Sequence, residues 1–355
     1  MAPWGQLPVL SSMRWLMVES GSVLFVILAL RSQCVKWGVK CLTMLGPKSI
    51  MPPERQLQRR TAKTTHSGQG PFFRYATCEM QGWRARMEDA IVCAPKLEWF
   101  AEDAALFGVF DGHGGAEVSA FVASHIEARL RDVIQREEAH GHALKQALLD
   151  IEDEMRNLNS TGSRMVSFGR DGRYDFVGCT AAVGLLTRTT LAVVNVGDSR
   201  IFKCRQGKCV PLTRDHKPES PSERRRIEAA GGTVVRFGPC YRIDCNLNLS
   251  RALGDFKYKD SSLAPEDQKV SPVGDVAVID LDSQDEFVVI ACDGVFELMT
   301  WTTVCSYVHE RIHRGMPLAR IAEGLLDECC SPNMLATCGQ GTDNESVIIV
   351  QLNPP

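Results

Sequence analysis

The sequence lacks several features that would assign it to a specialised class of protein. It has no CxxC pair among its 14 cysteines, no internal repeat and no low-complexity tract. The cysteine spacings match none of the common zinc-finger patterns, which favours reduced intracellular thiols over a disulfide scaffold. The pairs Cys204/Cys209 and Cys240/Cys245 come nearest to a zinc site, and such a site is kept as a minor alternative.

The chain also lacks a net positive charge and a membrane-spanning apolar run. Its formal net charge is −3, so it offers no electrostatic case for binding nucleic acid. The apolar run at residues 23–30 is far shorter than the ~20 residues that cross a bilayer. A signal peptide or a membrane anchor is an alternative there, and membrane contact by this segment is not favoured. We expect a dispensable extension or a mis-assigned start.

Charge and composition divide the chain into two parts. Residues 1–63 carry nine Lys/Arg and two Asp/Glu, a balance of +7, which leaves −10 for the remainder. Residues 48–70 are polar, basic and contain Pro, Gly and Ser, which is typical of a linker. We therefore expect a basic extension over 1–70, disordered or weakly membrane-directed, and one globular domain over 71–355. An acidic domain is expected if its carboxylates gather around cations.

Apolar runs and helical periodicity predict a mixed fold for the second part. The predicted strands cover 106–110, 178–186, 191–196, 200–204, 286–292 and 346–351, and the predicted helices cover 116–136, 142–158, 302–314 and 318–329. Short turns between consecutive strands require antiparallel pairing. Strand runs interrupted by helix pairs favour α+β layers over a doubly wound parallel sheet.

Acidic residues recur near glycines at predicted strand ends and turns. They are Asp111, Asp198, Asp293 and Asp343, together with the pair Glu88-Asp89 after a basic turn. Any one Asp-Gly alone is more simply a turn. Four such turns and an acidic pair, all beside strong strands, favour one shared site. Carboxylate and carbonyl oxygens are the ligands that Mg²⁺ and Mn²⁺ prefer.

The same stretches carry a family resemblance. The matching motifs are GWRARMEDA (82–90), FDGHGG (110–115), GCTA (178–181), NVGDSR (195–200), LTRDHKP (212–218), IEAAGGTV (227–234), LSRALGD (249–255), ACDGVFE (291–297) and GTDNESVIIV (341–350). In this order and spacing, over about residues 72–352, the chain resembles the type-2C (PPM family) metal-dependent protein serine/threonine phosphatases. The resemblance implies a four-layer αββα sandwich, with two mainly antiparallel sheets, helices on both outer faces and a carboxylate-lined cleft at one edge.

The resemblance also implies a metal-ligand set. Asp111 would bridge two ions of Mg²⁺ or Mn²⁺. Glu88 and the carbonyl of Gly112 would hold one ion, and Asp293 and Asp343 would hold the other. A pair of ions about 3.5–4 Å apart suits phosphate-ester hydrolysis, because it activates water and stabilises the charge that develops on phosphate.

Further roles follow from the same resemblance. Arg84 would clamp the substrate phosphate, which suits a planar guanidinium. His113 would protonate the leaving Ser or Thr oxygen, and its unperturbed pKa near neutrality suits a general acid. Asp89 would orient metal-bound water. Asp198, with Asp293, would line a weaker third metal position.

The sequence departs from the family pattern in places. Cys179 replaces the usual Ser in GCTA, and we expect it to be buried and structural. Glu297 replaces the usual Asp, which puts the third metal position in doubt. Glu345 replaces the usual Met and is expected to add negative charge near the site. Residues 226–248 correspond to the variable flap, and the arginines at 224–226 are expected on a solvated helix face, with substrate selection as the alternative.

These observations predict a hydrolase that acts on phosphoserine and phosphothreonine in proteins. One alternative is a catalytically silent pseudophosphatase that serves as a binding module. The other is a zinc peptidase, because His309 and His313 fit H-E-x-x-H on a predicted helix. We expect phosphorylated proteins as substrates, no nucleic-acid partner, a monomer and a cytoplasmic location, with nuclear or membrane-associated locations as alternatives.

Overall fold

A computed structural model describes residues 58–100, 103–136, 139–161 and 175–352. The predictions for residues 1–57, including the apolar run at 23–30, lie outside this part of the chain. In the described ranges, no helix has the length and apolarity needed to cross a bilayer.

The described residues form strands, α-helices and short 3-10 turns in alternation along the chain. The strands are β1 (Arg60–Gln69), β2 (Phe73–Gly82), β3 (Ala90–Ala94), β4 (Ala104–Phe110), β5 (Gly112–His113), β6 (Gly178–Cys179), β7 (Ala181–Thr187), β8 (Thr190–Val196), β9 (Arg200–Arg205), β10 (Lys208–Pro211), β11 (Val234–Phe237), β12 (Cys240–Ile243), β13 (Leu253–Gly254), β14 (Asp275–Asp280), β15 (Asp285–Ala291) and β16 (Glu345–Leu352). The helices are α1 (Glu117–Ile134), α2 (His140–Thr161), α3 (Pro221–Ala229), α4 (Trp301–His313) and α5 (Leu318–Cys329). The 3-10 turns are Phe256–Tyr258, Pro265–Asp267 and Asp293–Phe296.

Two antiparallel sheets form the centre of the domain. One has the strand order β1-β2-β16-β15-β9-β10, and the other has the order β14-β8-β7-β4-β3. Helices α1 and α2 pack on the second sheet, and α4 and α5 pack on the first. The predicted α+β sandwich of two antiparallel sheets flanked by helices is therefore confirmed. Smaller pairings, β13-β6-β5 and the β11-β12 hairpin, lie beside the sandwich edge.

The central strands are largely apolar because both of their faces are covered. Every residue of β4 and β7 is buried, and so is every residue of β15 except Glu286. One apolar core lies between the sheets and beneath α4 and α5, and it includes Phe73 and Phe107, whose ring centroids are 5.6 Å apart. A second core lies beneath α1 and α2. Continuous apolar runs are the pattern expected for strands that are buried on both faces.

One sequence prediction about the domain boundary is wrong. Residues 60–69, expected in a linker, form the edge strand β1, which pairs with β2 from Arg60↔Gly82 to Gln69↔Arg74. Lys63 of this strand also forms an ion pair with Asp327 of α5 at 2.6 Å. The strand is polar and exposed along most of its length, so it carries no apolar alternation that would reveal it.

Candidate active site

Three aspartates converge where central strands of the two sheets end. Asp111 follows β4 directly, Asp293 follows β15 after Cys292, and Asp198 follows β8 after Gly197. One carboxylate oxygen from each of the three lies within 4.8 Å of the others. The three carboxylates lie this close together because the buried apolar strands end at the same edge of the sandwich, where polar turns follow them. Asp198 is 2 % exposed, so the cluster extends well into the protein.

Glycines permit other backbone segments to approach these aspartates closely. A Cβ atom at Gly112 would lie 2.1 Å from the carbonyl oxygen of Glu88. A Cβ atom at Gly294 would lie 2.1 Å from the carbonyl oxygen of Asn344. Neither position can hold a larger side chain without backbone movement, so both glycines bring acidic segments against the cluster.

The cluster is electrostatically unfavourable as it stands. Burial raises the pKa values of Asp111 and Asp293 well above their usual range, and the charges of neighbouring carboxylates raise them further. Lys217 forms an ion pair with Asp198 and supplies positive charge at one side. Burial lowers the pKa of Lys217, but the attraction of Asp198 outweighs this effect and raises it. Carboxylates held together at this cost are a donor set that suits a divalent cation.

The acidic pair is fixed by the segment that follows Asp343. The backbone N–H of Glu88 donates to Oδ1 of Asn344 at 2.9 Å. The hydroxyl of Ser346 donates to Oδ2 of Asp89 at 2.7 Å. Asp89 is buried behind the cluster, and burial raises its pKa to about 7, although the Ser346 bond opposes the shift.

His113 is held by a buried carboxylate. Its Nε2 atom lies 2.6 Å from Oδ2 of Asp255, which is 1 % exposed. Burial disfavours the charged imidazole, but the attraction of Asp255 outweighs that effect and raises the pKa of His113. Gly178 makes this contact possible, because a Cβ atom there would lie 2.4 Å from the Asp255 oxygen and 2.7 Å from the histidine nitrogen.

An open cavity of about 630 Å³ gives solvent access to the cluster. Eight of the nine residues that the sequence singled out line it: Arg84, Glu88, Asp111, Gly112, His113, Asp198, Asp293 and Asp343. The exception is Asp89, which lies behind Glu88. At the rim, the half-exposed guanidinium of Arg84 forms an ion pair with Asp343. The structure thus brings the predicted residues into one cleft with a basic group at its mouth.

Comparison with known proteins decides the family. The family model for protein phosphatase 2C matches residues 73–335. The chain belongs to the protein phosphatase 2C family.

Relatives of this phosphatase span nearly the same length. A probable protein phosphatase 2C from Paramecium tetraurelia is 38% identical over 83% of this chain and 97% of its own length. One from Oryza sativa subsp. japonica is 33% identical over 83% of this chain and 90% of its own. Among solved structures, a phosphatase from a pathogenic strain of Toxoplasma gondii aligns with a TM-score of 0.66 at 26% identity, covering 83% and 96% of the two chains. The chain is a metal-dependent protein serine/threonine phosphatase.

The structure shows the surroundings of two residues that depart from the protein phosphatase 2C pattern, Cys179 and Glu297. Cys179 is fully buried in β6, opposite Gly112, as expected for a structural residue. Glu297 does not point to the cluster. Its Oε2 atom accepts from the backbone N–H groups of Gly341 at 2.5 Å and Thr342 at 3.1 Å, so it anchors the loop that precedes Asp343.

One expectation about charge is wrong, and another holds only in part. Glu345 does not add negative charge to the active site, because it is fully buried and burial raises its pKa to about 9, which leaves it neutral near pH 7. The stretch 224–226 is not simply a solvated face. Arg226 is largely buried, and its guanidinium bonds to Glu223, at 2.7 Å, and to the Ser250 carbonyl.

Sequence reasoning missed three residues that shape the phosphatase site. They are Asp255, Lys217 and Asn344. Each lies inside a family motif, at the end of LSRALGD, in LTRDHKP and in GTDN, and only Asn344 stands beside a residue that the sequence had singled out, Asp343. The available signal was a charged or amide side chain within a matched motif that had no assigned role.

Proposed function

We propose that this phosphatase hydrolyses phosphoserine and phosphothreonine in proteins with the help of two Mg²⁺ or Mn²⁺ ions. Asp111 would contact both ions. Glu88 and the carbonyl of Gly112 would hold one, and Asp293 and Asp343 would hold the other. The observation that carries the proposal is the convergence of Asp111, Asp198 and Asp293 within 4.8 Å at the base of an open cleft.

The donor set fits hard divalent cations. The ligand atoms are oxygens, which Mg²⁺ and Mn²⁺ prefer over nitrogen and sulfur. Burial and, after it, repulsion from neighbouring carboxylates raise the pKa values of Asp111 and Asp293, and a bound cation would offset both effects. When bound, two such ions would activate a water molecule for attack and offset the negative charge that builds up on the phosphate. A weaker third position beside Asp198 would have to compete with Lys217 and would gain no ligand from Glu297.

Arg84 would bind the substrate phosphate. Its guanidinium is half exposed at the cleft mouth, where a phosphorylated side chain enters. Its planar set of donors matches two phosphate oxygens at once, which a lysine ammonium cannot reproduce. Asp343 would hold the guanidinium in place before the substrate arrives.

His113 would supply the proton for the leaving group. In the hydrolysis, a water oxygen attacks phosphorus, the bond from phosphorus to the Ser or Thr oxygen breaks, and that oxygen needs a proton. Asp255 would orient His113 through the 2.6 Å contact and favour its protonated form. Asp89, fixed by Ser346, would orient the attacking water.

Substrate choice would depend on the flap beside the cleft. The β11-β12 hairpin carries Phe237, which is 66% exposed, and Arg242, which lines the cavity. An exposed aromatic ring and a guanidinium suit contacts with a peptide around the phosphorylated residue. A monomeric state and a cytoplasmic location remain predictions from the sequence.

The proposal is tested by phosphate release from a phosphothreonine peptide. The full-length chain is assayed with Mn²⁺ and with a chelator, beside Asp293→Asn. Asp282→Asn is the matched control, because Asp282 is an exposed carboxylate paired with Arg205 away from the cleft. Turnover that needs Mn²⁺, survives in the control and collapses in Asp293→Asn supports the proposal. Folded protein that binds Mn²⁺ but releases no phosphate from a broad peptide panel would instead support a pseudophosphatase.

A further inference from the structure

A second group of metal-ligating side chains lies on the first sheet beneath α4. Cys204 of β9, Glu286 of β15 and His309 of α4 each place one ligand atom within 4.8 Å of the other two. The Nδ1 atom of His309 is 2.8 Å from Oε2 of Glu286 and 3.9 Å from the sulfur of Cys204. Cys204 is fully buried, whereas the other two are partly open to solvent.

The local backbone aims these side chains at one another. The pairing of β15 with β9 shifts register at Glu286, between Asp285↔Arg205 and Phe287↔Cys204. Such a bulge redirects a side chain, and here it brings the carboxylate to the face that carries Cys204. The tight turn after β9 then fixes Glu286, because the backbone N–H of Gly207 donates to its Oε1 atom at 2.7 Å. A Cβ atom at Gly207 would lie 3.2 Å from Nε2 of His309, so glycine leaves room for the ring.

Two further thiols adjoin this group. Cys209 stands directly opposite Cys204 in the β9-β10 hairpin. Cys305 lies one helical turn before His309 on α4, so both project from the same helix face. Among the described residues, however, the ligand atoms that lie within 4.8 Å of one another are those of Cys204, Glu286 and His309, and neither further thiol belongs to this set. A water molecule would complete a four-coordinate site.

This group is separate from the phosphatase cleft. Glu286 lies at the start of β15 and Asp293 lies beyond its end, and seven residues of extended chain span roughly 23 Å. The H-E-x-x-H sequence on α4 does not act as a peptidase pair either. Glu310 lies on the exposed surface and pairs with Arg314 at 3.6 Å, and His313 bonds through Nδ1 to the His309 carbonyl at 3.0 Å.

We propose that Cys204, Glu286 and His309 bind one Zn²⁺ ion. Thiolate, imidazole and carboxylate together favour zinc over Mg²⁺ and Mn²⁺, which take oxygen ligands. In a tetrahedral zinc site the nitrogen and sulfur ligands lie about 3.5 Å apart, close to the 3.9 Å between His309 and Cys204. The thiol that binds zinc releases its proton to solvent, and the zinc replaces the hydrogen bond between His309 and Glu286. The ion joins α4 to β9 and β15.

Cobalt provides a direct readout, because a bond between thiolate and Co²⁺ absorbs light by charge transfer and a carboxylate site has no such bond. The full chain is reduced, stripped with a chelator and titrated with Co²⁺ in the presence of excess Mg²⁺. We expect one equivalent to produce the charge-transfer band in the wild type and in Cys240→Ser. Cys240 is an exposed thiol on the flap and serves as the matched control. The band should be absent from Cys204→Ser and His309→Gln.

Zinc should then displace the cobalt and raise the melting temperature of the wild type but not of His309→Gln. That variant changes a partly exposed side chain, so it tests the site even if Cys204→Ser fails to fold. We expect His309→Gln to weaken zinc binding by at least about 100-fold, more than the loss of an outer-shell partner does. Asp293→Asn should keep the band, which separates this site from the phosphatase cleft. No band in the wild type, or an undiminished band in His309→Gln, would overturn the proposal.

Discussion

Nε2 of His113 lies 2.6 Å from Oδ2 of Asp255, a buried carboxylate that is contributed from 142 positions further along the chain. Asp255 adopts left-handed backbone geometry, with φ of 51°, and its N–H donates to the carbonyl of Val177 at 2.9 Å. The strained turn is therefore held in place by the pairing of β13 with β6. This arrangement makes Asp255 the positioning residue for the proposed general acid.

Asp255→Asn should reduce turnover in a way that depends on the leaving group. General acid catalysis contributes roughly 10²–10⁴-fold, and loss of the orienting carboxylate should remove part of it. We expect kcat for a phosphothreonine peptide to fall by about 10–100-fold, as for other outer-shell partners of a histidine. An aryl phosphate whose leaving group needs no proton should be affected far less. Equal losses on both substrates, with Asp282→Asn unaffected, would contradict the positioning role.

Arg84→Ala should weaken substrate binding more than it slows chemistry. A charge-assisted hydrogen bond contributes about 1.5–3 kcal/mol, so KM for the phosphopeptide should rise roughly 10–100-fold. Arg84→Lys should recover little, because an ammonium lacks the planar donor pair. Steady-state kinetics on both variants provide the test, with Arg320→Ala on the outer face of α5 as the control. Full recovery by lysine would show that charge alone suffices.

Asp111→Asn should have opposite effects on stability with and without metal. In the metal-free protein, burial and like charges raise the pKa of Asp111, so folding is penalised as pH rises above the ordinary value of an aspartate. The asparagine removes this penalty and should raise the melting temperature in chelator by about 2–4 °C for each kcal/mol relieved. Mn²⁺ should stabilise the wild type and leave the variant nearly unchanged. Calorimetry in chelator and in Mn²⁺ measures both effects, and an equal Mn²⁺ gain in the two proteins would contradict the assignment.

Glu223 should make the free energy of unfolding depend on pH in the acidic range. Burial alone would raise its pKa, but hydrogen bonds from Arg251 and the charges of Arg226 and Arg251 outweigh burial and lower it to about 2. Because the pKa is lowered, the ionised Glu223 stabilises the fold fully above the ordinary value of 4.5, and this stabilisation is lost as pH falls toward 2. The difference between the two pKa values corresponds to about 3 kcal/mol of unfolding free energy. Urea unfolding of Glu223→Gln should show a deficit at pH 7 that shrinks below pH 4.5.

Glu228→Gln is the control for the Glu223 experiment. Glu228 lies on the same helix but is half exposed, with Arg224 at 3.8 Å. Exposed ion pairs of this kind contribute little, so the change should leave the unfolding free energy nearly unaltered. A deficit in Glu223→Gln that stays constant from pH 7 to pH 3 would contradict the proposed ionisation.

The sequence revealed those parts of the fold that buried apolar runs encode. Strand β4 and residues 287–291 of β15 are apolar, and an aspartate follows each within two residues, so both the strands and the acidic residues beyond them were predictable. Strand β1 was not, because its side chains are polar and its geometry depends on pairing with β2. Edge strands of this kind are defined by a partner, not by their own pattern.

The residues of the active site also divide into those that the sequence reveals and those that only the folded chain brings together. Asp111 and Asp293 stand in motifs with adjacent glycines, whereas Asp255 reaches His113 only through the folded chain. The charge of Glu345 was mispredicted because it depends on complete burial in the folded chain, which raises its pKa. The proposed zinc site is likewise formed only in the folded chain, because Cys204 and His309 are 105 residues apart and share no recognisable spacing.

The most direct test of the central claim is the number of Mn²⁺ ions that the phosphatase binds, measured by calorimetric titration beside phosphate release from a phosphothreonine peptide. A bridging Asp111 predicts two ions in the wild type, loss of both in Asp111→Asn and loss of one in Asp343→Asn, with activity abolished in the first variant. If Asp111→Asn still bound two ions with unchanged affinity and released phosphate, Asp111 would not bridge a metal pair, and the account of this active site would be wrong.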